Sequence, residues 1–220
     1  ATSGVSGAPK VAILSHYNLR WVQEAMGQGL DPMQPDDITL GCLSFAHIFG
    51  LNVVLLYGLR VGSCIVLQRR FDADESLRLI REHGVTVLAG APPMWQRWAK
   101  ADAPDDSLST IRFAASGAAA LPLGVFETIR DRYGVEVAQG YGLTETSPVV
   151  TMGRGYAVRP SSVGKVLDGV TVALVDDNGM PVDIGDEGEV VVKGPGIFHG
   201  YLDDQAMTDA VLTADGWFWT

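Results

Sequence analysis

Between residues 11 and 138, strand-like apolar runs take turns with helical stretches, and that alternation restricts the chain to an α/β fold. The runs fall at residues 11–14, 38–45, 64–67, 85–89, 111–115 and 135–138. Helices are expected at about 17–28, from Gly50 to about 59, and from Asp72 to Gly84. The third opens on the capping sequence Asp72-Ala73-Asp74-Glu75 and carries Leu77 and Ile80 as its apolar stripe. Pro92-Pro93 turns the chain into a short helix bearing Trp95 and Trp98, and a further helix ends at Gly134. Strands that alternate with helices pair in parallel, which predicts a mostly parallel sheet with helices on both faces. After residue 150 the pattern changes to glycine-rich turns and short strands at 170–175 and 189–192, with Asn178-Gly179 as a tight-turn signal. The chain therefore reads as an α/β part at 1–153, followed by a small β-barrel-like subdomain at 154–220.

Charge narrows the function. With a net charge of −10 there is no basic stripe to neutralise phosphates, so neither a nucleic acid nor an anionic membrane is an expected partner. An anionic ligand would have to be held by local dipoles, single cations and metal. The two cysteines, Cys42 and Cys64, have no metal-ligand spacing and read as buried free thiols. The longest apolar run, residues 48–57, is interrupted by Gly50 and Asn52 and is too short to span a bilayer. With no signal-peptide pattern, the expected location is the cytoplasm.

Chemistry concentrates where the last parallel strand ends, at Gln139-Gly140-Tyr141-Gly142-Leu143-Thr144-Glu145-Thr146-Ser147. In open α/β sheets ligands bind at this carboxyl edge. The glycines admit close backbone approach, Tyr141 offers a ring for stacking, Thr144 a hydroxyl for a phosphate oxygen, and Glu145 a carboxylate for Mg²⁺. The set suits ATP. A second loop, Thr2-Ser3-Gly4-Val5-Ser6-Gly7-Ala8-Pro9-Lys10, is rich in hydroxyls and glycine and precedes a strand and a helix start at Ser15 or His16. Its backbone N–H groups, with Thr2, Ser3 and Ser6, can wrap phosphates, and Lys10 adds a point charge. It is not a Walker A loop, because Ala8-Pro9 separates Gly7 from Lys10.

These segments resemble the acyl-adenylate-forming superfamily, which includes acyl-CoA ligases, luciferases and the adenylation domains of peptide synthetases. Residues 139–147 carry its Tyr-Gly-x-Thr-Glu signature, and residues 2–10 with Ser15-His16-Tyr17-Asn18-Leu19 resemble its phosphate-loop motif. Val5 and Val11 depart from that motif, standing where threonine and glycine are usual. Ser116-Gly117-Ala118-Ala119-Ala120-Leu121 resembles the family's Ser-Gly-Gly-Ala-Pro-Leu segment, with Ala118 in place of the second glycine and Ala120 in place of proline. Ala46-His47-Ile48-Phe49-Gly50, following Phe45, resembles its Phe-His-x-x-Gly segment.

The resemblance implies roles. Ser3, Gly4, Ser6, Gly7 and Lys10 hold the departing pyrophosphate, Thr144 the α-phosphate, and Glu145 the Mg²⁺. Gly117, Ala118, Tyr141 and Gly142 hold adenine, and His47 stands at the mouth of the acid pocket. Amino-acid-activating members carry an aspartate directly after the phenylalanine; here Ala46 follows Phe45, so the implied substrate is an acid without an amino group, a fatty acid above all. The implied reaction is AMP-forming acid–CoA ligation, with ATP, Mg²⁺ and coenzyme A. A carrier protein as acyl acceptor and a scaffold that has lost catalysis are the alternatives. Family members continue beyond the equivalent of Thr220 with a ribose-binding aspartate and a lid lysine. The chain is accordingly expected to be the central portion of a longer protein and inactive by itself.

Overall fold

The computed structural model describes residues 10–220. The chain runs α1 (His16–Gly27), β1 (Ile38–Gly41), a π-helix (Phe49–Leu56) continuing into α2 (Tyr57–Val61), β2 (Cys64–Leu67), α3 (Ala73–His83), β3 (Val87–Gly90) and α4 (Pro92–Lys100). Then come β4 (Phe113–Ser116), α5 (Leu123–Tyr133), β5 (Val137–Tyr141), a 3₁₀ turn (Thr144–Thr146), β6 (Thr151–Met152) and β7 (Lys165–Val166). The last third holds β8 (Thr171–Val175), β9 (Glu189–Lys193), α6 (Gln205–Val211) and β10 (Phe218–Trp219).

Seven strands form one sheet in the order β2-β1-β3-β4-β5-β6-β7. The first five are parallel, as the alternation with helices requires, and β6 and β7 add antiparallel pairs. Around Gly153 the pairing thus switches from parallel to antiparallel, while the change of sheet comes later, between Val166 and Thr171. Lys165, expected in the barrel, belongs to the large sheet. The antiparallel part is a three-stranded sheet, β10-β9-β8. The Asn178-Gly179 turn folds residues 181–182 back on β8, with Gly179 at φ 76°.

Both faces of the large sheet are covered. Successive side chains of a strand point to opposite sides, so Leu88 enters one core and Val87 the other. The first core holds Leu77 and Ile80 of α3, Trp95 and Trp98 of α4, and Phe126 and Ile129 of α5. The second holds Val22, Ala25 and Met26 of α1 with Tyr57 of α2. Trp95 and Trp98 are fully buried and edge-to-face, which makes them core. A Cβ at Gly90 would lie 2.8 Å from the Trp98 ring, so glycine is what lets the tryptophan pair lie on β3.

Local chemistry explains the helix ends. Asp72 accepts from the Glu75 N–H at 2.9 Å, and Gly84 closes α3 in the left-handed region at φ 63°. Ser15 caps α1 through a reciprocal pair, its Oγ accepting from the Asn18 N–H at 3.2 Å and its own N–H donating to Asn18 Oδ1 at 2.9 Å.

Five expectations change. Residues 11–14 form no strand, only an isolated bridge of Ala12 with Tyr201. The strand predicted at 135–138 runs instead from Val137 to Tyr141, because Gly140 and Tyr141 pair with β6. The strand from residue 38 stops at Gly41, because residues 44–47 form a turn closed by the His47 N–H on the Ser44 carbonyl. The helix after Gly50 opens as a π-helix, with fully buried Asn52 inside it. Finally, only Cys42 is buried, where desolvation pushes its thiol up to about 12. Cys64 is exposed because β2 is the edge strand.

Candidate active site at the carboxyl edge of the parallel sheet

Strands β1, β3, β4 and β5 all end on one edge, and the segments that follow them carry the residues singled out from sequence. β5 and β4 are neighbours, with Ser116 opposite Gln139. The Gln139 side chain ties their exits together: its Oε1 accepts the Leu121 N–H at 2.8 Å, and its amide donates to the Pro160 carbonyl. The loop beginning at Gly117 is thereby fixed beside Tyr141. Space there is narrow, since a Cβ at Gly117 would lie 3.3 Å from the Phe49 ring and 3.7 Å from the Gly140 carbonyl oxygen. Ala118, in the family's glycine position, has φ 72° and is exposed.

Tyr141 closes β5. Its carbonyl accepts from the Val150 N–H at 2.8 Å, and its hydroxyl is 2.9 Å from Thr220 Oγ1. Gly142 passes so close to the Pro148 carbonyl that any Cβ would overlap it. The 3₁₀ turn at Thr144–Thr146 follows, locked by the Leu143 N–H donating to Thr146 Oγ1 at 2.9 Å. Thr144 is half-buried at its start.

Glu145 is buried, with only 5 % of its surface exposed. The Tyr201 hydroxyl donates to its Oε1 at 2.8 Å, and its backbone carbonyl accepts from the Phe198 N–H at 2.8 Å. Its other oxygen, Oε2, takes no hydrogen bond from the described residues. Burial, and then the hydrogen bond to Glu145, push the Tyr201 hydroxyl well above its ordinary range, so it stays a donor. Lys10 Nζ lies 5.1 Å from the centre of the Tyr201 ring and 3.5 Å from Met207 Sδ.

The approach of Lys10 is set by backbone pairing. Leu202 N–H donates to the Val11 carbonyl at 2.8 Å, Ile13 N–H to Gly200 at 2.9 Å, and His199 N–H to Ile13 at 2.9 Å. The same segment is held from the other side by Asn18 Nδ2, which donates to Pro195 and Ile197 carbonyls at 2.7 and 3.0 Å, and by the Ser147 hydroxyl, which donates to Gly196 at 2.7 Å. Residues 194–202 are therefore a strap between the Glu145 turn and the Lys10 segment. Sequence reasoning missed this strap and Tyr201, although its Gly194-Pro195-Gly196 turn and the Gly200-Tyr201 pair were visible signals.

The structure thus brings together Gly117, Ala118, Tyr141, Gly142, Thr144 and Glu145 at the strand ends, with Lys10 joined to them through Tyr201. His47 is exposed in the turn after β1, not satisfied inside an apolar layer. Phe49, two residues on, lies against Gly117, so that turn shares the edge. Thr2, Ser3, Gly4, Ser6 and Gly7 lie outside the described residues. A separate open groove of about 620 Å³ runs between α1 and the π-helix–α2 segment, lined by Tyr17, Leu56 and Leu59 among others, and includes none of the site residues.

The donor set accommodates Mg²⁺ in one particular way. No cluster of three or more His, Cys, Asp or Glu exists among the described residues, so there is no all-protein cage. Mg²⁺ in nucleotide sites is held by one or two carboxylates and by substrate phosphates. A single carboxylate with one oxygen that takes no hydrogen bond from the described residues, as at Glu145, fits that pattern. No helix of the described residues is long and apolar enough to cross a membrane.

Comparison with known proteins gives the same direction. The family model described as "AMP-binding enzyme" matches residues 2–202. 4-Coumarate–CoA ligase 5 of Oryza sativa subsp. japonica is 34 % identical over 230 residues, covering all of this chain and 43 % of that protein. 4-Coumarate-CoA ligase 2 of Narcissus pseudonarcissus is 34 % identical, with 100 % and 41 % covered. Among solved structures, ATP-bound MatB from Rhodopseudomonas palustris superposes with a TM-score of 0.93 at 31 % identity, covering 100 % of this chain and 43 % of that one. O-succinylbenzoate coenzyme A synthetase (MenE) from Bacillus subtilis, in complex with AMP, superposes at 0.84 with 26 % identity, covering 100 % and 44 %. The chain spans rather less than half the length of the relatives it matches. By its fold, its site and this match, the chain belongs to the AMP-binding enzyme family, whose members similar to it are acid–CoA ligases.

Proposed function

We propose that the protein is an AMP-forming carboxylic acid–CoA ligase acting on an acid without an amino group. The observation that carries this reading is the placement of Tyr141 at the end of β5 and of Gly142, Thr144 and Glu145 directly after it, beside the Gly117 loop and within reach of Lys10 through Tyr201. In the reaction, the acid's carboxylate attacks the α-phosphate of ATP and the bond to pyrophosphate breaks; the thiol of coenzyme A then takes the acyl group from acyl-AMP, releasing AMP and the thiol proton. Nothing covalent is required of the protein. Its residues orient the reactants and balance charge. Adenine is assigned to the slot between Gly117–Ala118 and Tyr141–Gly142, the α-phosphate to the Thr144 hydroxyl, and the departing pyrophosphate to Lys10 with the loop at residues 2–10. Mg²⁺, when bound through Glu145, neutralises phosphate charge. His47 is assigned to the mouth of the acid pocket.

The acid is the open variable. Sequence favours a fatty acid, whereas the similar proteins are named for 4-coumarate and O-succinylbenzoate. These acids share a carboxylate without an α-amino group, and Ala46 provides nothing to recognise an ammonium. Pyrophosphate release by the natural full-length protein tests the reading, with ATP, Mg²⁺ and a panel of fatty, aromatic and dicarboxylic acids beside amino acids. Release with a non-amino acid, followed by thioester formation on coenzyme A, is the expected result. A preference for amino acids would overturn the substrate class, and transfer only to a carrier protein would overturn the acceptor. Glu145→Gln is expected to cut turnover about 100-fold, equal to about 3 kcal/mol of transition-state stabilisation, while weakening ATP binding much less.

A further inference from the structure

Tyr201 touches both charged groups of the site and is the only described side chain shown in contact with the two of them. Its hydroxyl donates to Glu145 Oε1 at 2.8 Å, while its ring face lies 5.1 Å beneath the Lys10 ammonium. The ion pairs among the described residues include neither Lys10 nor Glu145. A lysine and a glutamate brought to one site attract each other, and a direct pair would occupy the charges that a phosphate and a cation need. Here each charge is instead satisfied by a different part of one neutral aromatic residue: the carboxylate by a hydrogen bond, the ammonium by the ring quadrupole.

We propose that Tyr201 is a positioning residue that keeps Glu145 and Lys10 apart and ready, turning Glu145 Oε2 toward the cation of a metal–nucleotide complex. The proposal rests on the reading of Glu145 as the metal carboxylate. Two features support it. The hydroxyl is fixed, because the Tyr201 N–H donates to Thr208 Oγ1 at 2.9 Å and the ring packs edge-to-face on Phe198 at 4.9 Å. Among the described residues only one carboxylate oxygen, Oε1, takes a hydrogen bond, which leaves Oε2 for a ligand.

The two contacts are separable, which makes the proposal testable by binding alone. Calorimetric titration of the natural full-length protein with ATP, once with Mg²⁺ and once with a chelator, gives the gain in affinity due to the metal. Tyr201→Phe keeps the ring under Lys10 and removes the hydroxyl. Removing a residue that orients a metal ligand typically costs 10–100-fold in metal affinity, so the Mg²⁺-dependent gain should fall by about tenfold or more, with metal-free ATP affinity nearly unchanged. Tyr201→Leu should in addition weaken metal-free ATP binding several-fold, because Lys10 loses its platform. Phe198→Leu, which disturbs the same cluster, should lower the melting temperature and leave the Mg²⁺ gain intact. Glu145→Gln separates the two levels of the reading. If it abolishes the gain while Tyr201→Phe does not, the positioning role is overturned and the metal role of Glu145 stands. If it also leaves the gain intact, the metal role is overturned and the positioning role falls with it. An Mg²⁺ gain that falls equally in Phe198→Leu and Tyr201→Phe would show a merely structural role and overturn the proposal.

Discussion

Arg112 closes a two-point hydrogen bond on the buried carboxylate of Asp37, with Nε donating to Oδ1 at 2.7 Å and Nη2 to Oδ2. The Gln34 N–H and the Thr86 hydroxyl add donors at 2.7 Å each, and Arg154 stands 3.9 Å away. Asp37, Thr86 and Arg112 precede β1, β3 and β4, so this cluster clamps the amino edge of the sheet, opposite the candidate site.

That clamp makes stability acid-sensitive. Burial pushes the Asp37 carboxyl up, but the hydrogen bonds from Arg112, Gln34 and Thr86 outweigh it and bring the pKa from an ordinary 3.8 to about 2. A carboxylate lowered on folding stabilises above its unfolded pKa, and that stabilisation is lost as pH falls through the folded value. It contributes about 2 kcal/mol at neutral pH, fading between about pH 4 and pH 2. Asp37→Asn should cost roughly 3 kcal/mol at pH 7, because it also leaves Arg112 and buried Arg154 to share the single carboxylate of Asp31. Urea unfolding of both proteins at pH 7 and near pH 2 checks this; a cost that did not shrink in acid would refute it.

Asn52→Leu should be one of the most damaging single changes in the second core. Asn52 is fully buried, accepts from Gln23 Nε2 at 2.7 Å and donates to the Leu19 and Ser147 carbonyls at 3.2 and 2.6 Å. Leucine fills the space but orphans those three groups, at about 1–3 kcal/mol each before relaxation. The expected net loss is about 3 kcal/mol, and a denaturation midpoint matching the parent protein would contradict it.

Ala118→Gly should stabilise. At φ 72° an alanine is strained by about 1 kcal/mol, and glycine removes that strain at a smaller cost in unfolded-state freedom. The expected gain is a few tenths of a kcal/mol up to about 1. Ala118→Val should move the midpoint the opposite way, and equal midpoints for all three proteins would mean that the loop is unstrained.

Gly142→Ala should displace the loop carrying Thr144 and Glu145, because its Cβ would overlap the Pro148 carbonyl oxygen. A loss of several kcal/mol, or a native state that no longer binds ATP, is the expected result. Gly124→Ala in α5 is the contrast: its Cβ meets nothing within 4 Å, and the change should stabilise by about 0.5–1 kcal/mol. Circular dichroism melts and ATP titration of the pair read the difference.

Sequence alone determined what is local or periodic. Alternating strands and helices implied the parallel sheet, Asp72 and Gly84 the ends of α3, and the glycines after residue 138 a tight loop near a strand end. These were legible because a capping residue, a turn glycine or an apolar period acts within a few residues of itself. What joins distant parts was not legible. Tyr201 is 56 positions from Glu145 and 191 from Lys10, and nothing in its neighbourhood says that its hydroxyl finds one and its ring the other. Gln139 looked like the first residue of a motif, yet its work is to anchor the Leu121 loop. Asn52 looked like an interruption in an apolar run and is a buried junction between α1 and the Ser147 turn. A side-chain hydrogen bond depends on three-dimensional approach, which only packing of the elements decides; the sequence supplied the donors and acceptors, and the tertiary fold chose their partners.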